Sequence, residues 1–161
     1  MQLDVETCAA DTAALPDRLR KSLEYWNGLR GERWAPGWAE FSLLDLGTEA
    51  VPFTIVADVV REPLDFVYRF WGTGNTTYIG YDCTGKSVRQ NEVFCDKVFR
   101  ECSQVYGERR PMVYHTKALK PNGTYREYYR LRLPLSDDGE TVTKIVSVGY
   151  VAQYLPQEED R

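Results

Sequence analysis

The side chains best equipped for chemistry in this 161-residue sequence are one histidine, four cysteines and a stripe of bases and rings late in the chain. His115 stands alone, which excludes a histidine-based metal cluster. A Ser-His-Asp arrangement would have to use this one ring, and no G-x-S-x-G nucleophile turn accompanies it. His115 therefore reads as a strand residue satisfied by a local hydrogen bond. Cys8, Cys83, Cys95 and Cys102 show no C-x-x-C spacing, so they read as free, mostly buried thiols, neither a metal knuckle nor a redox pair. Of the paired carboxylates, Asp137-Asp138 falls in a turn and Glu158-Glu159-Asp160 in a tail, with no reason for a shifted pKa in either. Gly72-Thr73-Gly74-Asn75 lacks the third glycine of a dinucleotide loop and the lysine of a P-loop, which leaves it as a strand exit. No catalytic residue, metal ligand or cofactor is assigned.

Arg126, Tyr128, Arg130 and Arg132 share one face of an extended stretch, with Lys117 and Lys144 as further bases. Such a stripe could stack and bind single-stranded nucleic acid. The plainer expectation is a solvated strand face, because an alternating strand ordinarily has one wet side and 24 acidic residues balance the bases. A net charge of -4 also repels a phosphate backbone, so no nucleic-acid partner is expected. The apolar fraction of 43% against 27% charged residues is that of a soluble globule. No apolar run reaches the roughly 18 residues a membrane span needs. The acidic N-terminus does not resemble a secretion signal, and the chain is expected to be cytoplasmic.

The elements that must position these groups follow from periodicity. Leu15, Leu19, Leu23, Trp26 and Leu29 line one face of a helix over 12–30, with Pro16 in its first turn and Gly28 or Gly31 to end it. Residues 1–11 read as a flexible lead-in, 32–50 mostly as loop and 156–161 as a frayed tail, leaving 12–155 as one domain. Phe53 to Val60 and Phe66 to Trp71 read as an antiparallel hairpin. In the second strand Phe66, Tyr68 and Phe70 fall on one face, and Val67, Arg69 and Trp71 on the other. Helical turns over 75–81 and a helix with a broad apolar face from Phe94 to Tyr106 follow. Beyond Pro111 the period becomes extended, with hairpin turns at Pro121-Asn122-Gly123 and Ser136-Asp137-Asp138-Gly139. The last strand is apolar or small on both faces from Ile145 to Ala152, as in a central strand covered on two sides.

Four short motifs stand in order: Tyr25-Trp26, Tyr68-Arg69-Phe70-Trp71-Gly72-Thr73, Gly80-Tyr81-Asp82-Cys83-Thr84-Gly85 and Leu133-Pro134-Leu135-Ser136-Asp137-Asp138-Gly139. With the element order they make the chain resemble the stand-alone bacterial PAS-like family over roughly residues 20–150. The resemblance implies an α+β fold: a five-stranded antiparallel sheet with a helical insert and an N-terminal flanking helix. In order along the chain, the strands would lie in space as two, one, five, four, three. It also implies a non-catalytic sensory or regulatory module that binds a small, largely apolar ligand or a protein partner and forms a homodimer. An enzyme working in the same cavity and a purely structural dimerisation module are the alternatives. Reactive cysteines of flavin-binding PAS relatives sit in a polar motif that neither Cys83 nor Cys95 nor Cys102 matches.

The ligand pocket is expected between the sheet and the insert of residues 75–107, lined by Tyr68, Phe70, Tyr78, Phe94, Phe99, Tyr114 and Tyr129. A slip of one residue in strand parity would exchange Tyr68 and Phe70 for Arg69 and Trp71. Arg69 and Asp82, the charged members of two adjacent motifs, are expected to form a structural ion pair.

Overall fold

β-branched and aromatic runs with a period of two become six strands in the computed structural model, which describes residues 2–9, 15–90, 95–119 and 125–154. The strands are β1 (Gln2–Ala9), β2 (Thr54–Val60), β3 (Asp65–Trp71), β4 (Met112–Leu119), β5 (Tyr125–Leu135) and β6 (Lys144–Tyr154). The helices are α1 (Asp17–Arg30), α2 (Thr73–Ile79) and α3 (Cys95–Glu108). All pairings are antiparallel in the order β1-β4-β5-β6-β2-β3. Strands β2 to β6 form the five-stranded antiparallel sheet in the expected order. The sixth corrects the reading of residues 1–11 as a flexible lead-in, because Gln2–Ala9 pairs along β4. Leu3, Val5 and Thr7 alternate with Asp4 and Glu6 there, a short strand pattern in a stretch otherwise poor in apolar residues. The turn at Pro121-Asn122-Gly123 and the tail 156–161 lie outside the described residues.

β6 lies between β5 and β2, and residues 145–149 are buried. The doubly apolar pattern of the last strand follows from cover on both sides. On one face α1 packs Leu19, Leu23 and Trp26 against Leu131, Leu133 and Val148, and the Trp26 indole donates to the Pro134 carbonyl at 2.8 Å. Short 3-10 turns at Trp38–Glu40 and Leu43–Leu46 occupy the segment expected to be mostly loop, a third follows at Val51–Phe53, and all extend this layer. On the other face Cys102 and Val105 of α3 share a core with Phe66, Met112 and Ile145.

The motifs have local structural reasons. Gly72 donates to the Thr54 carbonyl at 2.9 Å. It lies so close to the neighbouring chain that a Cβ would collide with the Pro52 and Val51 carbonyl oxygens. Asn75, buried at the start of α2, donates to the carbonyls of Pro52 and Thr54 at 3.3 and 3.2 Å. At the β5–β6 turn Asp138 accepts from the N–H groups of Glu140 and Thr141, both at 2.8 Å, and from the Thr141 hydroxyl at 2.6 Å. These bonds favour the charged form and hold its pKa below the ordinary carboxylate value. Asp137 is also lowered: partial burial alone would raise it, but bonds from the Trp38 N–H and the Thr143 hydroxyl outweigh that, with Lys144 nearby. The expectation of unshifted carboxylates in this turn is thereby corrected. A turn whose purpose is to satisfy its own backbone donors is itself a cause of a shift.

Two tests follow from this geometry. Gly72→Ala should destabilise by about 1–3 kcal/mol or more, because the obstacle is backbone and cannot rotate away. Gly28→Ala, with nothing within 4 Å of the added carbon, should be neutral or stabilising by about 0.5–1 kcal/mol. Urea melts measure both. For Asp138 a lowered folded pKa means stability present above the unfolded value of about 3.9 and lost as pH falls through the folded one. The melting-temperature gap between parent and Asp138→Asn should be widest near neutrality and narrow below about pH 4.

Candidate functional site

Because β3 carries bulk on both faces, the facing of each residue decides what reaches the layer under α3. The alternation breaks at Arg69. Val56 pairs with Phe70 and Ala57 with Tyr68, so Arg69 is the extra residue of a bulge. Tyr68 and Trp71 therefore fall on the same face, under α3, with ring centroids 5.1 Å apart. Phe70 turns to the α1 layer. The expected placement of Phe70 in the pocket is corrected by this bulge, which simple alternation does not contain.

Between this face and α3 lies a cavity of about 310 Å³. Ile55, Ala57, Val98 and Val151 give it an apolar wall, and Tyr68, Trp71, Tyr114 and Tyr128 an aromatic one. Phe53, Tyr129 and Tyr150 also border it. Of the expected lining, Tyr68, Tyr114 and Tyr129 are present. Phe99 instead packs edge-on against Phe66 at 5.7 Å, with the Arg89 guanidinium 4.2 Å from its ring centre. Phe94 and the Tyr78 side chain lie outside the described residues.

The charged part of the lining was not among the expected site residues. Arg132, 5% exposed, points up from β5 and meets Glu101 of α3, 3% exposed, with Nε and Nη2 at 3.1 and 3.0 Å from Oε1. Its Nη1 donates to the Ser147 hydroxyl at 2.8 Å. Arg130 lies against β6 where Gly149 leaves room: a Cβ there would stand 2.5 Å from Arg130 Nη1. Lys97 of α3 donates to the Thr116 hydroxyl at 2.8 Å. Its pKa is lowered by burial and by the like charges of Arg132, Arg130 and Arg100, against the opposing pull of Glu101. Among the buried polar atoms of the lining that lack a hydrogen-bond partner are the Trp71 indole nitrogen and Glu101 Oε2. The stripe Tyr128, Arg130 and Arg132 is thus the cavity floor, which corrects its reading as a solvated face. Lys144 belongs elsewhere, beside Asp58 and Asp137 at 3.7 and 3.4 Å.

The two adjacent motifs meet, but not through Arg69 and Asp82. Arg69 Nε donates to both oxygens of Asp58, at 2.8 and 3.0 Å, in an exposed pair across the β2–β3 hairpin. Asp82 accepts from the N–H and hydroxyl of Thr84 at 2.8 and 2.6 Å, which lowers its pKa. The contact between motifs is backbone: Gly85 donates to the Tyr68 carbonyl at 2.7 Å, and Tyr68 to the Lys86 carbonyl at 3.0 Å. Bulging leaves Arg69 nearest its own hairpin, and the short Asp82 side chain is consumed by its turn.

His115 does not line the cavity. It stacks on Tyr129 at 4.3 Å, with Nε2 buried and unbonded, 3.7 Å from Glu127 Oε2. Cys102 does line it, with a thiol pKa pushed up by burial, the opposite of what a reactive thiolate needs. Burial likewise raises the Tyr68 and Tyr114 phenols.

No family model matches the chain, and no curated protein matches it in sequence. Solved structures do. A light-oxygen-voltage domain studied with a flavin analogue is 16% identical with a TM-score of 0.49, covering 77% of this chain and 91% of that one. The light-state Aureochrome1 LOV domain is 16% identical with a TM-score of 0.41, covering 70% and 87%. An RNA-binding light-oxygen-voltage receptor is 12% identical with a TM-score of 0.44; the match covers 91% of this chain but only 38% of that receptor. These are likenesses of chain trace, and nothing about ligand or partner is carried from them.

Removing one member of a buried ion pair leaves an uncompensated charge. Glu101→Ala should therefore destabilise the protein by about 3–5 kcal/mol. Glu101→Leu combined with Arg132→Met should recover much of that loss, because no buried charge is then stranded. Denaturant unfolding of the three variants checks both halves.

Proposed function

We propose that this protein is a non-catalytic sensory module that holds a small molecule between α3 and the sheet. The observation that carries the reading is the cavity itself, about 310 Å³, with an aromatic and aliphatic lining and a few convergent polar groups. A core in which the rings merely filled space would leave no such volume. Chemistry in the cavity has little to work with. Its lining carboxylate is engaged by Arg132, its thiol and the Tyr68 and Tyr114 phenols are shifted away from reactivity at neutral pH, and His115 is not part of it.

A route from cavity to surface supports the sensory half. Arg18 of α1 donates to the Gly149 carbonyl at 3.2 Å, the same residue whose bare Cα makes room for Arg130. Its guanidinium also lies 4.7 Å from the Phe53 ring centre and 5.4 Å from that of Tyr150, two rings that border the cavity. A ligand that displaces Arg130 would move the strand segment on which α1 rests. From there the signal would pass to a second copy of the chain or to another protein.

Native mass spectrometry of freshly purified protein tests the reading. It should show a retained small mass that denaturation releases and that an Ala57→Leu variant, with the cavity partly filled, no longer carries. A parent that never retains mass, and that is stabilised by Ala57→Leu with no compound lost, would favour the structural dimerisation module.

A further inference from the structure

Resting on that reading, we infer that the cavity is built for a hydroxylated ring that also carries an acceptor oxygen such as a carbonyl. Two orphaned atoms carry the inference. The Trp71 indole N–H, on a residue 6% exposed, is a donor without an acceptor, and Glu101 Oε2, on a residue 3% exposed, is an acceptor without a donor. Both residues line the cavity, and buried polar atoms ordinarily have partners. Trp71 ends β3 in the sheet and Glu101 belongs to α3 across the cavity, so a molecule held between the two layers can meet both.

Neighbouring groups decide what kind of donor Glu101 takes. Its Oε1 already receives Nε and Nη2 of Arg132 at 3.1 and 3.0 Å. Lys97 lies four residues before it, one helical turn away in the same lining. A ligand ammonium at Oε2 would enter beside two cations, and a ligand carboxylate there would meet a like charge. A neutral hydroxyl does neither. Two donors of the lining are directed elsewhere: the Tyr114 hydroxyl to Gln104 Oε1 at 2.7 Å, and Lys97 to the Thr116 hydroxyl at 2.8 Å. At the other end an acceptor oxygen satisfies the Trp71 indole. The rings of Tyr68 and Tyr114 and the apolar wall of Ile55, Ala57 and Val98 suit a flat body between them.

The test is calorimetry at pH 7 on protein refolded from urea to strip any retained molecule, with 4-hydroxyacetophenone, acetophenone, 4-ethylphenol and tyramine as probes. 4-Hydroxyacetophenone should bind most tightly. Acetophenone, which lacks the donor, and 4-ethylphenol, which lacks the carbonyl, should each bind about tenfold more weakly, since each strands one of the two atoms. Tyramine, with an ammonium in place of the carbonyl, should be the weakest. Trp71→Phe keeps a ring and removes the indole donor. It should cost 4-hydroxyacetophenone about tenfold and leave 4-ethylphenol unchanged. A thermal melt checks that this variant folds, and the comparison of the four probes on the parent decides the matter without it. Acetophenone or 4-ethylphenol binding as well as 4-hydroxyacetophenone, tyramine binding most tightly, or a panel with no binder would overturn the inference. A mass retained in the native spectrum beside a silent panel would remove this inference alone, whereas an empty native spectrum bears on the sensory reading beneath it.

Discussion

The Arg132–Glu101 pair is the constraint on which the rest of the site depends. It ties the middle of β5 to the middle of α3 with both charges nearly out of water. Such a pair is not a cheap source of stability, since desolvation consumes most of the attraction. Its value is geometric. A planar guanidinium that must meet both a helix carboxylate and the Ser147 hydroxyl fixes where α3 sits over the sheet. The helix is thus held by polar contacts across its centre, while Val98 and the rings beside it border space.

The two faces of the sheet divide the work. On the α1 side, Leu131, Leu133, Val146 and Val148 meet Leu19, Leu23 and Trp26 in an aliphatic layer, pinned by the bond from Trp26 to Pro134. On the α3 side the same strands present Arg130, Arg132, Ser147 and Gly149 to the cavity. One strand pair therefore serves as core on one side and as cavity floor on the other. The floor is tied to α1 by the bond from Arg18 to the Gly149 carbonyl.

Much of the fold was legible because it rests on patterns of period two and 3.6. The hairpin and the helices at 17–30 and 95–108 follow from runs of apolar residues read against turn residues, whereas the spatial order of β2 to β6 was implied by the resemblance to PAS domains. What escaped depends on a single residue or on context. The bulge at Arg69 moves Phe70 out of the cavity layer and Trp71 into it, and no local signal in a run of alternating aromatics marks the extra residue. The basic stripe on β5 was visible as a stripe. Its location was not, because whether an alternating charged face meets water or a helix depends on where Glu101 arrives from, 31 residues away. A buried arginine is rare enough that exposure is the natural reading. Glu101 and Lys97 lie one helical turn apart on α3, four residues in sequence, and that spacing beside an arginine stripe is the signal that could have paired them.

The Trp71 indole, at the cavity and without a hydrogen-bond partner, is the donor that the proposed ligand would engage, and the four tryptophans make this directly observable. The indoles of Trp26 and Trp34 are bonded to the carbonyls of Pro134 and Gly139, away from the cavity, whereas that of Trp71 has no partner. Between proton–nitrogen correlation spectra of the protein carrying its retained small molecule and of protein stripped of it, the Trp71 indole signal should move as it gains an acceptor, and those of Trp26 and Trp34 should stay in place. A retained molecule whose removal leaves the Trp71 indole fixed, or moves only the other indoles, would contradict it.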